Sequence, residues 1–366
     1  MQPDRMARPL PDILKIQWPP AADRPPADTE AALDRAVGVL RAGGLVAVPT
    51  ETVYGLAADA LDAEAVAGIF RAKGRPATNP LIVHVCDADM AHGLAGSWPQ
   101  AADSIAKSLW PGPVTVVVPR GPAIPDIVTA SGPTVALRCP DHRLTRRLIE
   151  KTGRPLAAPS ANRSEAVSPT TAAHVLESLG SRVDLILDGG PCGRGIESTV
   201  VDCTENPPRI LRPGPMSREL LESAVGGPVA WPEDRCPATS AAPLRSPGLQ
   251  SKHYAPRTPL DMPADPVDRV CRLLDAGVRV GWMTRASAEP RVRRLAATRD
   301  LVIVPMPETP ADYARLLYAT LHALDQRELG RIVVDPVPAT EAWRAVRDRL
   351  ARAATPLPPE SPGAPP

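Results

Sequence analysis

The chain lacks an excess of either charge, a long apolar run and closely spaced cysteines. Its 366 residues include 42 basic and 41 acidic side chains, for a formal net charge of +1. This balance argues against a protein that holds nucleic acid by bulk charge. No run of about 18 apolar residues occurs, and the first residues lack the apolar core of a signal peptide. We therefore expect a soluble, cytoplasmic protein with no membrane segment.

The six cysteines are far apart and form no C-x-x-C pair. Neither a zinc finger nor a dense disulfide framework is predicted. Aromatic residues make up only 3% of the chain, and five of the 42 basic residues are lysine. A single arginine in so arginine-rich a chain is weak evidence of function, whereas a lysine beside other polar groups is more informative.

Alternating helical and strand patterns predict an α/β architecture. In the first part of the chain, predicted strands cover 45–49, 81–85, 114–119, 134–140, 155–158, 184–190 and 198–203, and predicted helices cover 29–42, 62–74, 99–109, 141–151 and 170–179. Adjacent strands without an intervening helix favour a mixed sheet over a purely parallel one. A second stretch alternates helices at 266–276, 287–296, 310–328 and 340–353 with strands at 278–283, 301–306 and 331–337, which predicts a small parallel α/β domain.

Composition divides the chain into five predicted regions. Residues 1–27 are a proline-rich lead-in that we expect to lie against the surface, 28–228 a first folded domain, 229–258 a linker rich in Pro, Ser and Ala, 259–353 a C-terminal domain, and 354–366 a disordered tail. The total length is typical of two domains.

The densest group of polar side chains follows the strand at 45–49, in the segment PTETVYG. Loops at strand ends are where α/β proteins place ligands, but a polar turn before a helix is an equal alternative. Lys73, Arg75 and Asn79 form a second group. Two cations and an amide so close together suit a phosphate clamp, and the alternative is a solvated basic turn. His84 lies on an apolar strand, where a lone histidine is more often a satisfied core residue than a ligand.

Two further segments, 155–171 and 189–203, contain small and polar residues where a protein core would have apolar ones. Ser160 and Ser168 belong to the first, whose hydroxyls and amides could line a groove for an anion. Neither segment matches the P-loop or the dinucleotide-binding glycine pattern, so a common kinase or dehydrogenase is disfavoured. Arg138 and Arg212 each end an apolar strand, where a charge must meet water, a partner or a ligand.

Seven motifs in order, PTETVYGL, K-x-R-P-x-x-N-P-L, WPGPVT, VALRCPDH, APSAN-x-S, ESTVVD and LRPG, resemble the YrdC/Sua5 family of L-threonylcarbamoyladenylate synthases. The resemblance covers roughly residues 28 to 228. The stretch SPG…KHYAP at 246–256 and the domain after it resemble the longer, Sua5-type members. The resemblance implies a YrdC-like twisted mixed sheet with helices, followed by a smaller Rossmann-like parallel α/β domain.

The resemblance also implies an activity and a set of site residues. Family members condense L-threonine, bicarbonate and ATP into threonylcarbamoyl-AMP and pyrophosphate, and a downstream transferase complex then modifies adenosine 37 of ANN-reading tRNAs. By similarity, threonine would be held by Thr52, His84, Arg138, Ala158 and Ser198. ATP would be contacted by Arg75, Asn79, Thr134, Ser160, Ser168, Arg212 and Tyr254. Lys73 and Arg75 would act on the phosphates, Mg²⁺ would accompany ATP without assigned protein ligands, and the linker would close over the site as a lid.

Two positions depart from the family pattern. Glu165 stands where the family often has Gly, and Ala57 replaces the second glycine of GLG. Two alternatives remain. A carbamoyltransferase of the hydrogenase-maturation type would need zinc-finger cysteines and an acylphosphatase segment, which this sequence lacks. A non-catalytic RNA-binding module, with at most weak binding, is disfavoured by the neutral net charge.

Overall fold

The computed structural model describes residues 9–234, 254–285 and 300–355. The chain divides into two compact units, one formed by Met1–Ser164 and Ser168–Gln250, the other by Glu165–Val167 and Ser251–Pro366. The predicted helix at 287–296, most of the predicted linker and nearly all of the predicted tail lie outside the described residues. Within the described ranges, no helix is both long and apolar enough to cross a membrane.

The first unit contains ten strands and eight helices among its described residues. Its strands are β1 (Asp12–Lys15), β2 (Val46–Val48), β3 (Gly55–Asp59), β4 (Ile82–His84), β5 (Val114–Pro119), β6 (Thr134–Arg138), β7 (Leu156–Ala157), β8 (Leu185–Asp188), β9 (Thr199–Asp202) and β10 (Arg209–Arg212). Its helices are α1 (Ala27–Arg41), α2 (Ala63–Lys73), α3 (Ala88–His92), α4 (Gln100–Leu109), α5 (Asp126–Thr129), α6 (Arg143–Thr152), α7 (Ala172–Leu179) and α8 (Arg218–Val225).

These ten strands form one mixed sheet in the order β1-β8-β2-β3-β7-β4-β6-β5-β9-β10. Four ladders are parallel, namely β1 with β8, β2 with β8, β4 with β6 and β5 with β9. The other five are antiparallel. The prediction of a mixed sheet is confirmed.

Both faces of the central sheet are covered by apolar side chains. On β3, Leu56 and Ala58 belong to one buried cluster, whereas Ala57 belongs to the other, together with residues of α1 and α6. This alternation is what a strand buried on both faces requires. Ala57 is fully buried in regular strand, so the methyl group that distinguishes it from the family's glycine packs without any special backbone conformation.

The structure adds elements that the sequence patterns did not predict. β1 lies inside the proline-rich lead-in and pairs in parallel with β8, so part of this segment is an edge strand. β3 was missed because GLAAD has no strand-forming side chains, and the strand is defined by its partners β2 and β7. The helix α8 and the strand β11 (Leu260–Asp261) were likewise not predicted, whereas the apolar strand expected to end at Arg212 is β10.

The second unit has its own four-stranded, fully parallel sheet. It joins β11 to β12 (Val280–Thr284), β13 (Leu301–Pro305) and β14 (Arg331–Val334) in the order β11-β14-β12-β13. The described helices are α9 (Pro266–Asp275), α10 (Pro310–Asp325) and α11 (Arg344–Ala353). The predicted small parallel α/β domain is confirmed.

Candidate active site

The loop between β2 and β3 fixes its own side chains. Thr50 Oγ1 donates to the Val53 carbonyl at 2.7 Å and accepts from the backbone N–H groups of Thr52 and Val53 at 3.1 and 3.2 Å. It also lies 2.8 Å from Thr52 Oγ1. Both threonines are buried. The turn therefore holds the Thr52 hydroxyl in a defined place.

Arg138, the last residue of β6, reaches this turn. Its Nη1 donates to Thr52 Oγ1 at 2.9 Å, its Nε donates to the Gly112 carbonyl at 3.3 Å, and its Nη2 lies 2.6 Å from Glu51 Oε1. Only 4% of the side chain is exposed. A guanidinium that is buried and held on three sides is pre-organised to bind a carboxylate or phosphate.

His84 ends β4 directly beside Arg138 in the parallel β4–β6 ladder. The side chain is buried, and neither ring nitrogen has a hydrogen-bond partner among the described residues. Burial and, to a smaller extent, the Arg138 charge hold the pKa of His84 well below its usual value, so the ring is neutral at pH 7. The interpretation of His84 as a satisfied core residue is wrong, because burial without partners leaves its nitrogens available to a ligand.

Ser198 and Arg212 are in direct contact. The Ser198 hydroxyl lies 2.8 Å from Thr115 Oγ1 on β5, and Arg212 Nη2 donates to the Ser198 carbonyl at 3.0 Å and to its hydroxyl at 3.2 Å. All three side chains are buried. The resemblance assigns Ser198 to threonine and Arg212 to ATP, so the two predicted ligand groups meet at this point.

Lys73 connects the end of α2 to the segment after β7. The helix begins at the Asp62 cap and ends at Gly74, which adopts the left-handed conformation that favours glycine. Lys73 Nζ donates to the Ser160 carbonyl at 2.6 Å and also to the Asn162 carbonyl. Burial, and then the neighbouring Arg75 charge, hold the pKa of this ammonium well below its usual value. Lys73 therefore fixes the Ser160 segment in addition to any role toward phosphate.

Arg75 and Asn79 shape the loop between α2 and β4. Arg75 Nε donates to the Asn79 carbonyl at 3.1 Å, and its Nη2 donates to the Pro80 carbonyl at 2.8 Å. The Asn79 side chain is fully buried, and neither its amide nitrogen nor its oxygen has a partner within the described ranges. An unpaired buried amide is rare and suits a ligand that supplies both a donor and an acceptor.

The segment after β7 runs along the same group of strands. The Ala158 N–H donates to the Ile82 carbonyl at 3.0 Å, and Ser160 forms an isolated bridge with Gly55. Farther on, Ser168 Oγ donates to Glu197 Oε1 at 2.6 Å. Since Glu197 directly precedes Ser198, this bond joins the two polar segments that the sequence singled out.

One predicted residue lies apart from the threonine group. Thr134 begins β6 and Arg138 ends it, so about 13 Å of strand separates them at 3.3 Å per residue. The structure therefore brings Arg138 together with Thr52 and His84, and places Thr134 at the opposite end of the strand. Such a spacing suits an extended ligand with a nucleotide at one end.

Comparison with known proteins identifies the family. Residues 38–214 match the Sua5/YciO/YrdC model, described as "Telomere recombination", and residues 216–355 match the threonylcarbamoyl-AMP synthase C-terminal domain. The threonylcarbamoyl-AMP synthases of Pyrococcus abyssi and Bacillus subtilis are 39% and 38% identical, each over 87% of this chain and 92% of its relative. The chain belongs to the threonylcarbamoyl-AMP synthase family.

A solved member of the threonylcarbamoyl-AMP synthase family has the same fold. The crystal structure of P. abyssi Sua5 complexed with L-threonine superposes with a TM-score of 0.80 at 36% identity, covering 94% of this chain and 97% of that one. The fold class inferred from the motifs is confirmed.

Tyr254, the last predicted ATP contact, belongs to the second unit of this family member. Its ring is buried, stacks on Tyr318 at a centroid distance of 5.7 Å and lies 5.2 Å from the Arg349 guanidinium carbon. The N–H of the next residue, Ala255, donates to the Glu165 carbonyl at 2.9 Å. Closure of Tyr254 over the nucleotide stays a prediction.

Sequence reasoning gave no role to two residues at this synthase site. Thr115 supplies the hydroxyl against Ser198, and Glu51 supplies the carboxylate against Arg138. A signal existed for Thr115, since it is the one polar residue within the apolar strand VTVVVP. Glu51 lies in a polar segment, but its contact with Arg138, 87 positions away, cannot be recognised from the sequence alone.

Proposed function

We propose that this chain condenses L-threonine, bicarbonate and ATP into threonylcarbamoyl-AMP with release of pyrophosphate. The observation that carries this proposal is the buried group formed by Arg138, Thr52 and His84, in a member of the threonylcarbamoyl-AMP synthase family. The group offers a cation, a hydroxyl and a neutral imidazole, which match the carboxylate and hydroxyl of a small amino acid. The L-threonine complex of P. abyssi Sua5 supports threonine as the ligand.

The proposed threonine site consists of residues in the loop between β2 and β3, near the ends of β4, β6 and β7, and just before β9. They are Thr52, His84, Arg138, Ala158 and Ser198. Arg138 pairs with the threonine carboxylate in this proposal. His84, kept neutral by burial, can donate through one ring nitrogen and accept through the other. A neutral imidazole avoids placing a second cation beside Arg138.

The proposed ATP site uses the loop after α2, the segment after β7 and the end of β10. Its residues are Arg75, Asn79, Thr134, Ser160, Ser168, Arg212 and Tyr254, with Lys73 near the phosphates. The threonine amine, as the free base, attacks the carbon of bicarbonate, which loses water to give the carbamate, and a carbamate oxygen then attacks the α-phosphorus as pyrophosphate leaves. Negative charge accumulates on the phosphates in this step, so Arg75, Arg212 and Lys73 would act by positioning and charge stabilisation, with no covalent protein intermediate.

Mg²⁺ would enter with ATP. No cluster of three or more metal-binding side chains occurs in the part of the chain that the structure describes. This fits an ion held mainly by phosphate oxygens and water, as Mg²⁺ usually is in nucleotide sites. Its contribution would be to neutralise charge on the triphosphate. The product would serve a tRNA threonylcarbamoyltransferase complex in the cytoplasm.

Pyrophosphate release tests this function directly. Purified full-length protein is incubated with ATP, Mg²⁺, L-threonine and bicarbonate, and each component is omitted in turn. Release of pyrophosphate should require all substrates, and serine should be a poorer substrate because it lacks the threonine methyl group. Release that is indifferent to threonine would contradict the proposal. Salt-sensitive RNA binding without any pyrophosphate release would favour an RNA-binding module instead.

A further inference from the structure

Glu51 is a partly buried residue whose two carboxylate oxygens are inaccessible to solvent and have unused hydrogen-bonding capacity. Its side chain is 11% exposed, and its Oε1 lies 2.6 Å from Arg138 Nη2. Neither carboxylate oxygen accepts a hydrogen bond from the described residues. Buried carboxylates normally receive several donors, because their desolvation is costly. The turn at Thr50–Val53 therefore holds a carboxylate whose oxygens can still accept hydrogen bonds from a ligand.

Arg138, the partner of Glu51, also has unused donors. Of its five N–H groups, one on Nε and one on Nη1 are bonded to Gly112 and Thr52. Nη2 contacts Glu51 as an ion pair, but makes no aligned hydrogen bond within the described part of the chain. Unused cationic donors and unused anionic acceptors thus lie side by side.

Two ionisable groups near Glu51, His142 and Cys192, are uncharged at pH 7. His142, at the start of α6, has its pKa lowered by burial. Burial also raises the pKa of the Cys192 thiol to about 12. Neither of these two groups therefore carries a charge that competes with Arg138 for Glu51.

A free amino acid carries a carboxylate and an ammonium group on one carbon, so a site that selects it benefits from one cation and one anion placed together. The residues assigned to threonine include the cation Arg138 but no anion. We propose that Glu51 binds the α-ammonium group of L-threonine while Arg138 binds its carboxylate. Glu51 would then select amino acids over the corresponding hydroxy acids. This inference rests on the proposed function.

The proposal is tested by calorimetry with two ligands and two variants of the full chain. The ligands are L-threonine and its analogue in which a hydroxyl replaces the α-amino group. The variants are Glu51→Gln, which removes the charge, and Glu64→Gln as a control, since Glu64 is an exposed acid on α2. Glu51→Gln should bind threonine about 10-fold more weakly, because the amide oxygen can still accept a hydrogen bond but no longer offers a counter-charge to the ammonium group. The analogue should bind with unchanged or higher affinity, and Glu64→Gln should match the wild type with both ligands.

Other outcomes would overturn the inference. Equal weakening of both ligands would mean that Glu51 only positions Arg138, and tighter binding of both would mean that Glu51 competes with ligands for Arg138. If Glu51→Gln does not fold, Glu51→Asp keeps the charge and should still prefer threonine over the analogue, whereas loss of that preference would count against the proposal. A wild-type chain that binds no threonine would instead contradict the proposed function.

Discussion

Replacing Thr115 by Val tests whether the hydroxyl network behind Ser198 matters for threonine binding. Thr115 is fully buried, and its Oγ1 lies 2.8 Å from Ser198 Oγ. The Ser198 hydroxyl accepts from Arg212 Nη2 and shares a hydrogen bond with Thr115 in which either hydroxyl can donate. Valine has the same shape without the hydroxyl, so Ser198 loses one of the two hydrogen bonds that fix its orientation.

The expected cost is one net hydrogen bond, about 1 kcal/mol. The dissociation constant for L-threonine should rise about fivefold, and the melting temperature should fall by about 2–4 °C. Thr152→Val is the matched control, because this buried threonine at the end of α6 donates to the Ile149 carbonyl at 2.8 Å. The control should lose similar stability with unchanged threonine affinity. Unchanged affinity in Thr115→Val, measured by calorimetry, would refute the reasoning.

Four further predictions follow from other residues of the site. The folded chain keeps His84 neutral, whereas the unfolded chain has the ordinary histidine pKa of about 6.5, so acidification below that pH protonates the unfolded state preferentially and lowers the free energy of unfolding. Urea unfolding at about pH 7.5 and about pH 5.5 measures this loss of stability. His84→Gln should reduce the loss by up to about 1.4 kcal/mol per pH unit. Glu165 has φ +67°, so Glu165→Gly should be at least as stable as the wild type and Glu165→Val less stable by about 1 kcal/mol in thermal unfolding. Arg75→Ala should weaken the binding of ATP but not of threonine in calorimetry. Arg212→Ala should weaken the binding of both ligands, because it also removes the hydrogen bonds that Arg212 donates to Ser198. Chelation with EDTA should abolish pyrophosphate release, and added Mg²⁺ should restore it.

Local patterns predicted much of the fold because apolar periodicity is a property of neighbouring residues. The strand VTVVVP and the helix at 62–74 were found in this way, and Asp62 and Gly74 cap that helix as their residue types suggest. β3 has no such pattern, since its Gly, Ala and Asp residues are poor strand formers. It exists because β2 and β7 pair with it on either side.

The candidate site was predictable as a set of segments but not as a set of contacts. Motif order identified the segments that carry Lys73, Ser160 and Ser198. Their partners are distant in sequence: Lys73 bonds the Ser160 carbonyl 87 positions away, and Ser198 meets Thr115 at a separation of 83. Such pairs are created by tertiary packing. The roles of Thr115 and Glu51 therefore became visible only when the sheet was assembled.

A crystal structure of the full chain with L-threonine and a non-hydrolysable ATP analogue tests the central claim most directly. We expect the threonine carboxylate within hydrogen-bond distance of the Arg138 Nη atoms, and the triphosphate near Arg75 and Arg212. Threonine bound away from Arg138, Thr52 and His84, or phosphates bound away from both arginines, would contradict this claim.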